Sequence, residues 1–155
     1  MRYQAVLFDF DGTLFDTWPG LAAAYQATHR HLFHSEWNSQ PARSVLLMLR
    51  ASVLHNMLER TPSREEEHFF VRTYQTLMLT KSPPFPGVFE TLAWLNERGI
   101  PWGIASNKPY EHTKKFVDHI PLLQTVQCVV CANDILPHNP APICCSQLAK
   151  NQAPP

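Results

Sequence analysis

Near its amino terminus the chain carries Ala5-Val-Leu-Phe-Asp-Phe10, apolar but for one aspartate, and this run stops at Asp11-Gly12. A short apolar run that breaks on an Asp-Gly turn signal predicts a strand buried on both faces of a parallel sheet, ending near Asp9. This constrains the rest of the chain. Parallel strands cannot be joined by tight turns, so the segments that follow must supply crossovers.

They do so unevenly. Asp16 can cap a helix whose first turn tolerates Pro19, and Leu21–Phe33 continues it in Ala-rich composition. Between Pro41 and Arg60, Leu46, Leu49, Val53, Leu54, Met57 and Leu58 recur at steps of three and four, the period of an amphipathic helix. Ser63 and Glu66 have capping-box spacing, and the helix they open runs to about Thr80 with Phe70, Tyr74, Leu77 and Met78 on one face. The proline-rich segment Lys81–Gly87 is a stiff linker. Beyond it, Val88–Arg98 reads as a helix with Leu92 and Leu95 inward and Gly99 as its stop, followed by the strand Trp102–Ala105. Pro109 opens a helix to about Asp118, and the β-branched Val126–Cys131 is a third strand.

The order predicts an α/β fold: a Rossmann-like parallel-sheet core with right-handed crossovers, made of residues 1–16 and 83–155. Residues 17–82 are too long for a simple crossover and read as an inserted α-helical cap domain.

Composition narrows the function classes. Thirteen Lys+Arg balance thirteen Asp+Glu, which argues against a nucleic-acid or polybasic membrane binder. No apolar stretch approaches the roughly 20 residues that cross a bilayer, and the start lacks signal-peptide character, so the expectation is a cytoplasmic protein. The cysteines Cys128, Cys131, Cys144 and Cys145 are expected to be reduced structural thiols. Adjacent cysteines suit one tetrahedral zinc poorly, and a three-residue step on a strand splits the first pair between faces. His29, His31 and His34 read as a solvated helix face, and Trp18, Tyr25, Trp37, Phe69 and Phe70 as packing within the cap.

The chemistry concentrates at Asp9-Phe-Asp-Gly-Thr13, at the carboxyl end of the first strand, where open α/β sheets place their ligands. Two carboxylates one residue apart, where the chain leaves extended geometry, can share one crevice, and Gly12 permits the bend. Mg²⁺ suits them, because it commonly takes one or two carboxylates plus substrate phosphate and water. One carboxylate can attack phosphorus to give an aspartyl-phosphate, while the other protonates the leaving oxygen and later activates water. An ordinary Asp-Gly turn after a strand is the alternative reading of the same residues. Ser106-Asn-Lys108 follows the second strand and precedes a proline-started helix, so a hydroxyl and backbone amides there can hold phosphoryl oxygens. Ser106 also has an alternative, as a turn or capping residue.

Ala5–Asp16 resembles the first motif of the haloacid dehalogenase-like superfamily, and Trp102–Pro109 resembles its second. The stretches around both are similar to phosphoglycolate phosphatase-like members, with Pro84-Phe-Pro-Gly87 resembling their re-entry from cap to core. The resemblance implies Asp9 as nucleophile and Mg²⁺ ligand. It makes Asp11 the general acid/base, whose backbone carbonyl binds the metal, and Ser106, with Asn107 beside it, the holder of the transferring phosphoryl group. Having the second aspartate, the chain resembles phosphatases and phosphomutases and not the dehalogenases. The implied substrate is a small phosphorylated metabolite, such as phosphoglycolate or a sugar phosphate, with the cap closing over the core loops; a sugar phosphomutase is the alternative chemistry.

The chain departs from the pattern in two places. The family's lysine near the third strand has no counterpart in Asp134–Pro142: an ungapped match puts Pro137 at that position, a one-residue deletion between Asn139 and Pro140 accounts for the loss equally well, and His138 is not assigned the role. The family's fourth, acidic motif would lie past the helix that starts around Pro142, and the sequence ends first. These departures lead to the expectation of a C-terminally truncated core with weak or absent phosphatase activity. A non-catalytic remnant that binds phosphate or a partner chain is the rival, and the first strand is expected to be an exposed edge open to self-association.

Overall fold

A computed structural model describes residues 5–36, 54, 55 and 57–131. The chain divides into two compact units, residues 1–16 with 84–155, and residues 17–83.

The first unit is built on a parallel sheet of three strands, β1 (Val6–Phe8), β2 (Trp102–Ser106) and β3 (Cys128–Cys131), in the order β1-β2-β3. Val6 pairs with Trp102 and Phe8 with Ile104; on the other side Gly103 pairs with Cys128 and Ser106 with Cys131. The central strand is the most enclosed, and Trp102 and Ile104 have no exposed surface. Among the described residues β1 pairs only with β2, which is the exposed edge the sequence leads one to expect. Its faces depart from the reading of burial on both sides: Leu7 is 46% exposed while Val6 and Phe8 are half-buried, the alternation of a strand with one covered face and one open face.

In the second unit α1 (Trp18–Phe33) packs on α2 (Arg64–Lys81). Gly20 allows the close crossing, since a Cβ there would lie 2.9 Å from the Met78 Cα and 3.1 Å from the Leu77 carbonyl oxygen. Tyr25 stacks on Phe70 at 5.2 Å between ring centroids, and both are buried. The α2 start is the anticipated capping box: Ser63 Oγ accepts from Glu66 N (3.3 Å), and Glu66 Oε2 accepts from Ser63 N (2.7 Å). The α1 start differs from the reading of Asp16 as cap. Thr17 occupies the cap position with helical torsions and no capping side-chain bond, and Pro19 in the first turn removes one of the amides a cap would serve. Of the histidines, His31 stacks on Phe69 (3.8 Å) and His29 Nδ1 lies 3.0 Å from the Ser35 carbonyl oxygen, while His34 ends α1 with φ 52°. The helix read over Pro41–Arg60 falls mostly outside the described residues, as does Trp37.

Back in the first unit, α3 (Val88–Glu97) buries Val88, Leu92 and Leu95 and ends at Gly99, whose φ is 62°. After β2 come α4 (Tyr110–His119) and a 3₁₀ turn at Pro121–Thr125 that the sequence reading had left unassigned. The turn delays the last strand to Cys128, because Val126 N still donates back to the Leu123 carbonyl oxygen (3.0 Å). Cys128 and Cys131 are buried, and Cys131 Sγ donates to Thr113 Oγ1 at 3.5 Å; Cys144 and Cys145 lie outside the described residues. The fold is α/β, a Rossmann-like parallel core with an inserted helical cap. Among the described residues no helix is long and apolar enough to cross a membrane.

Candidate active site

The site grows from the carboxyl ends of β1 and β2. Phe10, fully buried, packs on Phe15 (5.0 Å) and edge-on to Phe116 (4.9 Å). This anchors the backbone between the two aspartates, leaving Asp9 exposed and the Asp11 side chain one-third exposed. The loop then closes on itself. Gly12 N donates to the Phe15 carbonyl oxygen (2.9 Å), and Leu14 N and Phe15 N both donate to the Phe10 carbonyl oxygen (3.1 Å each). Gly12 carries the required positive φ of 79°, which a residue with a side chain adopts only under strain. Asp9 is held locally, its Oδ1 accepting from Phe10 N at 2.7 Å.

The second loop leaves the sheet beside the first. Phe8 and Ile104 form the last register pair, so the next residues, Asp9 and Ala105, stand at the same level of the sheet. Ser106 is the last residue of β2, not a loop residue just after it, and it is buried. Its Oγ accepts from Lys108 N at 3.1 Å, a tight turn that leaves Asn107 exposed and carries the chain to Pro109, the cap residue of α4.

Lys108 joins the two loops. Its side chain is 5% exposed, and its Nζ lies 2.8 Å from Asp11 Oδ1 and 6.0 Å from the Phe10 ring centroid. Asp11 Oδ1 is itself buried and takes no hydrogen bond of good geometry, so the ammonium faces it as a charge. From the sequence Lys108 carries no role, since the resemblance puts the site's lysine in Asp134–Pro142, a segment outside the described residues together with Pro137 and His138. The available signal was its position two residues past the end of β2, in the same loop as Ser106.

A divalent cation can be tested against these groups. Among the described residues no three or more His, Cys, Asp or Glu side chains gather into a metal cluster. Asp9 nevertheless offers an exposed carboxylate two residues from Asp11, whose side chain is engaged by Lys108 and so leaves its backbone carbonyl as the second hard oxygen donor. Such a donor pair fits Mg²⁺, which commonly uses one or two carboxylates and completes its shell with substrate phosphate and water. An exposed carboxylate beside a half-buried one, next to a buried hydroxyl and a buried ammonium, is a set of groups able to attack, protonate and hold a phosphoryl centre.

Comparison with known proteins places the chain in a family. The sequence profile of the haloacid dehalogenase-like hydrolase family matches residues 6–153. The N-acetylmuramic acid 6-phosphate phosphatase of Pseudomonas aeruginosa is 31% identical over 159 residues, covering 96% of this chain and 69% of that protein. The phosphoglycolate phosphatase of Photorhabdus laumondii is 31% identical over 150 residues, covering 90% of this chain and 64% of the relative. The chain thus spans about two thirds of the length of these relatives. Among solved structures, a candidate β-phosphoglucomutase from Thermotoga maritima superposes with a TM-score of 0.76 at 19% identity, covering 95% of this chain and 71% of the other; this likeness speaks for the fold alone. The chain belongs to the haloacid dehalogenase-like hydrolase family.

Proposed function

We propose, with that membership as premise, that the chain is a Mg²⁺-dependent phosphatase. It acts on a small phosphorylated metabolite of the phosphoglycolate or sugar-phosphate type, through an aspartyl-phosphate on Asp9. The observation that carries the reading is the 2.8 Å contact between Asp11 and Lys108, because it brings the two motif-bearing loops to one point at the carboxyl end of the sheet. The relatives, both phosphatases, support the reaction class.

In this reading an Asp9 carboxylate oxygen attacks phosphorus, the bond from phosphorus to the ester oxygen breaks, and the leaving oxygen takes a proton from Asp11. Asp11, now ionised, accepts a proton from water as that water attacks the aspartyl-phosphate, which releases inorganic phosphate and restores Asp9. Ser106 and Asn107 hold phosphoryl oxygens during both steps. Asp9 and the Asp11 backbone carbonyl would hold Mg²⁺, whose charge, when bound, offsets the repulsion between a phosphate dianion and two carboxylates.

The test is phosphate release from a panel of phosphate esters, with Mg²⁺ present, by the wild-type chain and by Asp9→Asn. The expected result is weak release by the wild type, in keeping with the departures from the family pattern, and none above background in the variant, since removing a covalent nucleophile costs at least about a thousandfold. Hydrolysis that survives Asp9→Asn, or no ester cleaved by the wild type, would remove the assignment.

A further inference from the structure

We propose that Lys108 is a phosphate-binding residue: its ammonium, parked on Asp11 Oδ1, is the fixed positive charge that receives the phosphoryl group of the ligand. This rests on the reading above as to which loops form the site.

Three observations converge on Lys108. Its ammonium is buried almost completely at the one place where the two loops meet. Pairing with a carboxylate that is still one-third exposed recovers little against the cost of taking this ammonium out of water, so stability alone does not explain a lysine here. Second, its backbone amide donates to Ser106 Oγ, so the hydroxyl and the ammonium belong to one rigid turn. Third, the carboxylate it faces is under-satisfied: Asp11 Oδ1 has the charge contact but no hydrogen bond. A phosphoryl group arriving beside Ser106 and Asp11 would bring acceptor oxygens for a charge-assisted hydrogen bond from the ammonium.

Charge bookkeeping points the same way. With Asp11 ionised against Lys108, the three side chains sum to one negative charge, a phosphate dianion raises this to three, and without the lysine it would be four; protonating Asp11 for the acid step, or binding Mg²⁺, lowers both totals alike and keeps the lysine's difference of one. Among the described residues no other lysine or arginine is ion-paired with Asp9 or Asp11. Lys108 therefore lowers the electrostatic barrier that the two carboxylates raise against their own ligand. It does so from a residue fixed in the loop rather than from a distant segment.

The probe is inorganic phosphate, titrated by calorimetry into the full chain with Mg²⁺ present, for wild type, Lys108→Met, Lys108→Arg and Lys114→Met. Loss of a charge-assisted hydrogen bond to phosphate corresponds to a weakening of about 10- to 100-fold. Lys108→Met is expected to show it, Lys108→Arg to recover most of the affinity, and Lys114→Met, which removes an exposed charge paired with Asp118, to leave it unchanged. If Lys108→Met proves unfolded by circular dichroism, Lys108→Arg decides: phosphate affinity within about threefold of wild type is expected, and loss of affinity in the folded arginine variant counts against a charge role. A folded Lys108→Met that binds phosphate as wild type does, whatever its melting temperature, makes the lysine a staple between loops and overturns the inference. So does a wild type that binds no phosphate. Phosphate binding without ester hydrolysis would leave the inference standing and defeat the phosphatase reading instead.

Discussion

Gly103 lies at the centre of the sheet from which both site loops hang, and replacing it with alanine measures how tightly the strands are registered. A Cβ there would stand 2.8 Å from Leu7 Cδ2, 2.9 Å from the Cys128 carbonyl oxygen and 3.3 Å from Cys128 Cβ. The first contact is soft, since Leu7 is nearly half exposed on the edge strand and can turn away. The second is backbone in a paired strand, and relieving it means opening the β2–β3 ladder by about 0.5 Å, from 2.9 to the 3.4 Å where ordinary contact begins. Overpacking of this kind costs about 1–3 kcal/mol. Restricting the unfolded chain by one glycine returns about 0.4–1 kcal/mol. The net expectation for Gly103→Ala is a loss of about 1.3 kcal/mol, with about 2.6 kcal/mol as the upper limit, or several degrees in melting temperature for a chain of this size. Urea unfolding followed by tryptophan fluorescence reports it directly, because buried Trp102 is the neighbouring residue. The double variant Leu7→Ala/Gly103→Ala separates the contacts: removing the leucine should not restore stability. A Gly103→Ala chain as stable as wild type, or one rescued by Leu7→Ala, would refute the claim that the β3 backbone sets the limit.

In the helical unit, Gly20→Ala gains about 0.8–1.0 kcal/mol of helix propensity but places a methyl 2.9 Å from the Met78 Cα; the expected net loss of up to about 2 kcal/mol should appear as faster amide exchange in α1 and α2. Glu66 is held at about 2, first by the Arg60 side chain and then by Ser63 N, so its contribution to stability is complete above the usual 4.5 of a free carboxylate and is lost as pH falls toward 2. Glu66→Gln keeps the capping geometry without the charge. The wild-type advantage over it, followed by helix ellipticity, should be flat above about pH 5 and shrink below; an advantage that does not change down to pH 2 would contradict the assigned cause.

Much of the architecture was legible because its signals are local. Ser63 and Glu66 spell a capping box in four residues, Gly99 marks a helix stop by needing positive φ, and the strands at Val6–Phe8, Trp102–Ser106 and Cys128–Cys131 are apolar runs set among helical periods. The misjudged features are those decided between segments. The exposed edge of β1 was expected, but whether both its faces are covered depends on what packs over the sheet, which Leu7 and its neighbours do not encode. Ser106 reads as a loop residue until its pairing with Cys131 extends β2 by one residue. The Lys108–Asp11 contact joins residues 97 positions apart and exists only because β1 and β2 are parallel and in register, so no local pattern announces it. Asp9, Asp11, Ser106 and Asn107 were found as candidates because their spacing sits at strand ends, where topology concentrates chemistry.

The loop that carries the aspartates separates position from charge. Its position is set from below, where Phe10 packs on Phe15 and Phe116; two such ring pairs supply about 1–3 kcal/mol beyond the burial of Phe10 itself. The backbone bonds from Gly12, Leu14 and Phe15 complete the turn without using either carboxylate. The loop therefore does not need the Lys108–Asp11 pair to hold its shape, and a buried pair is a poor stabiliser in any case. Asp9, Asp11 and Lys108 are left as charges mounted on a scaffold that stands without them. That is the arrangement preorganised chemistry requires, with rigid support from apolar packing and charged groups free to exchange partners when a ligand arrives.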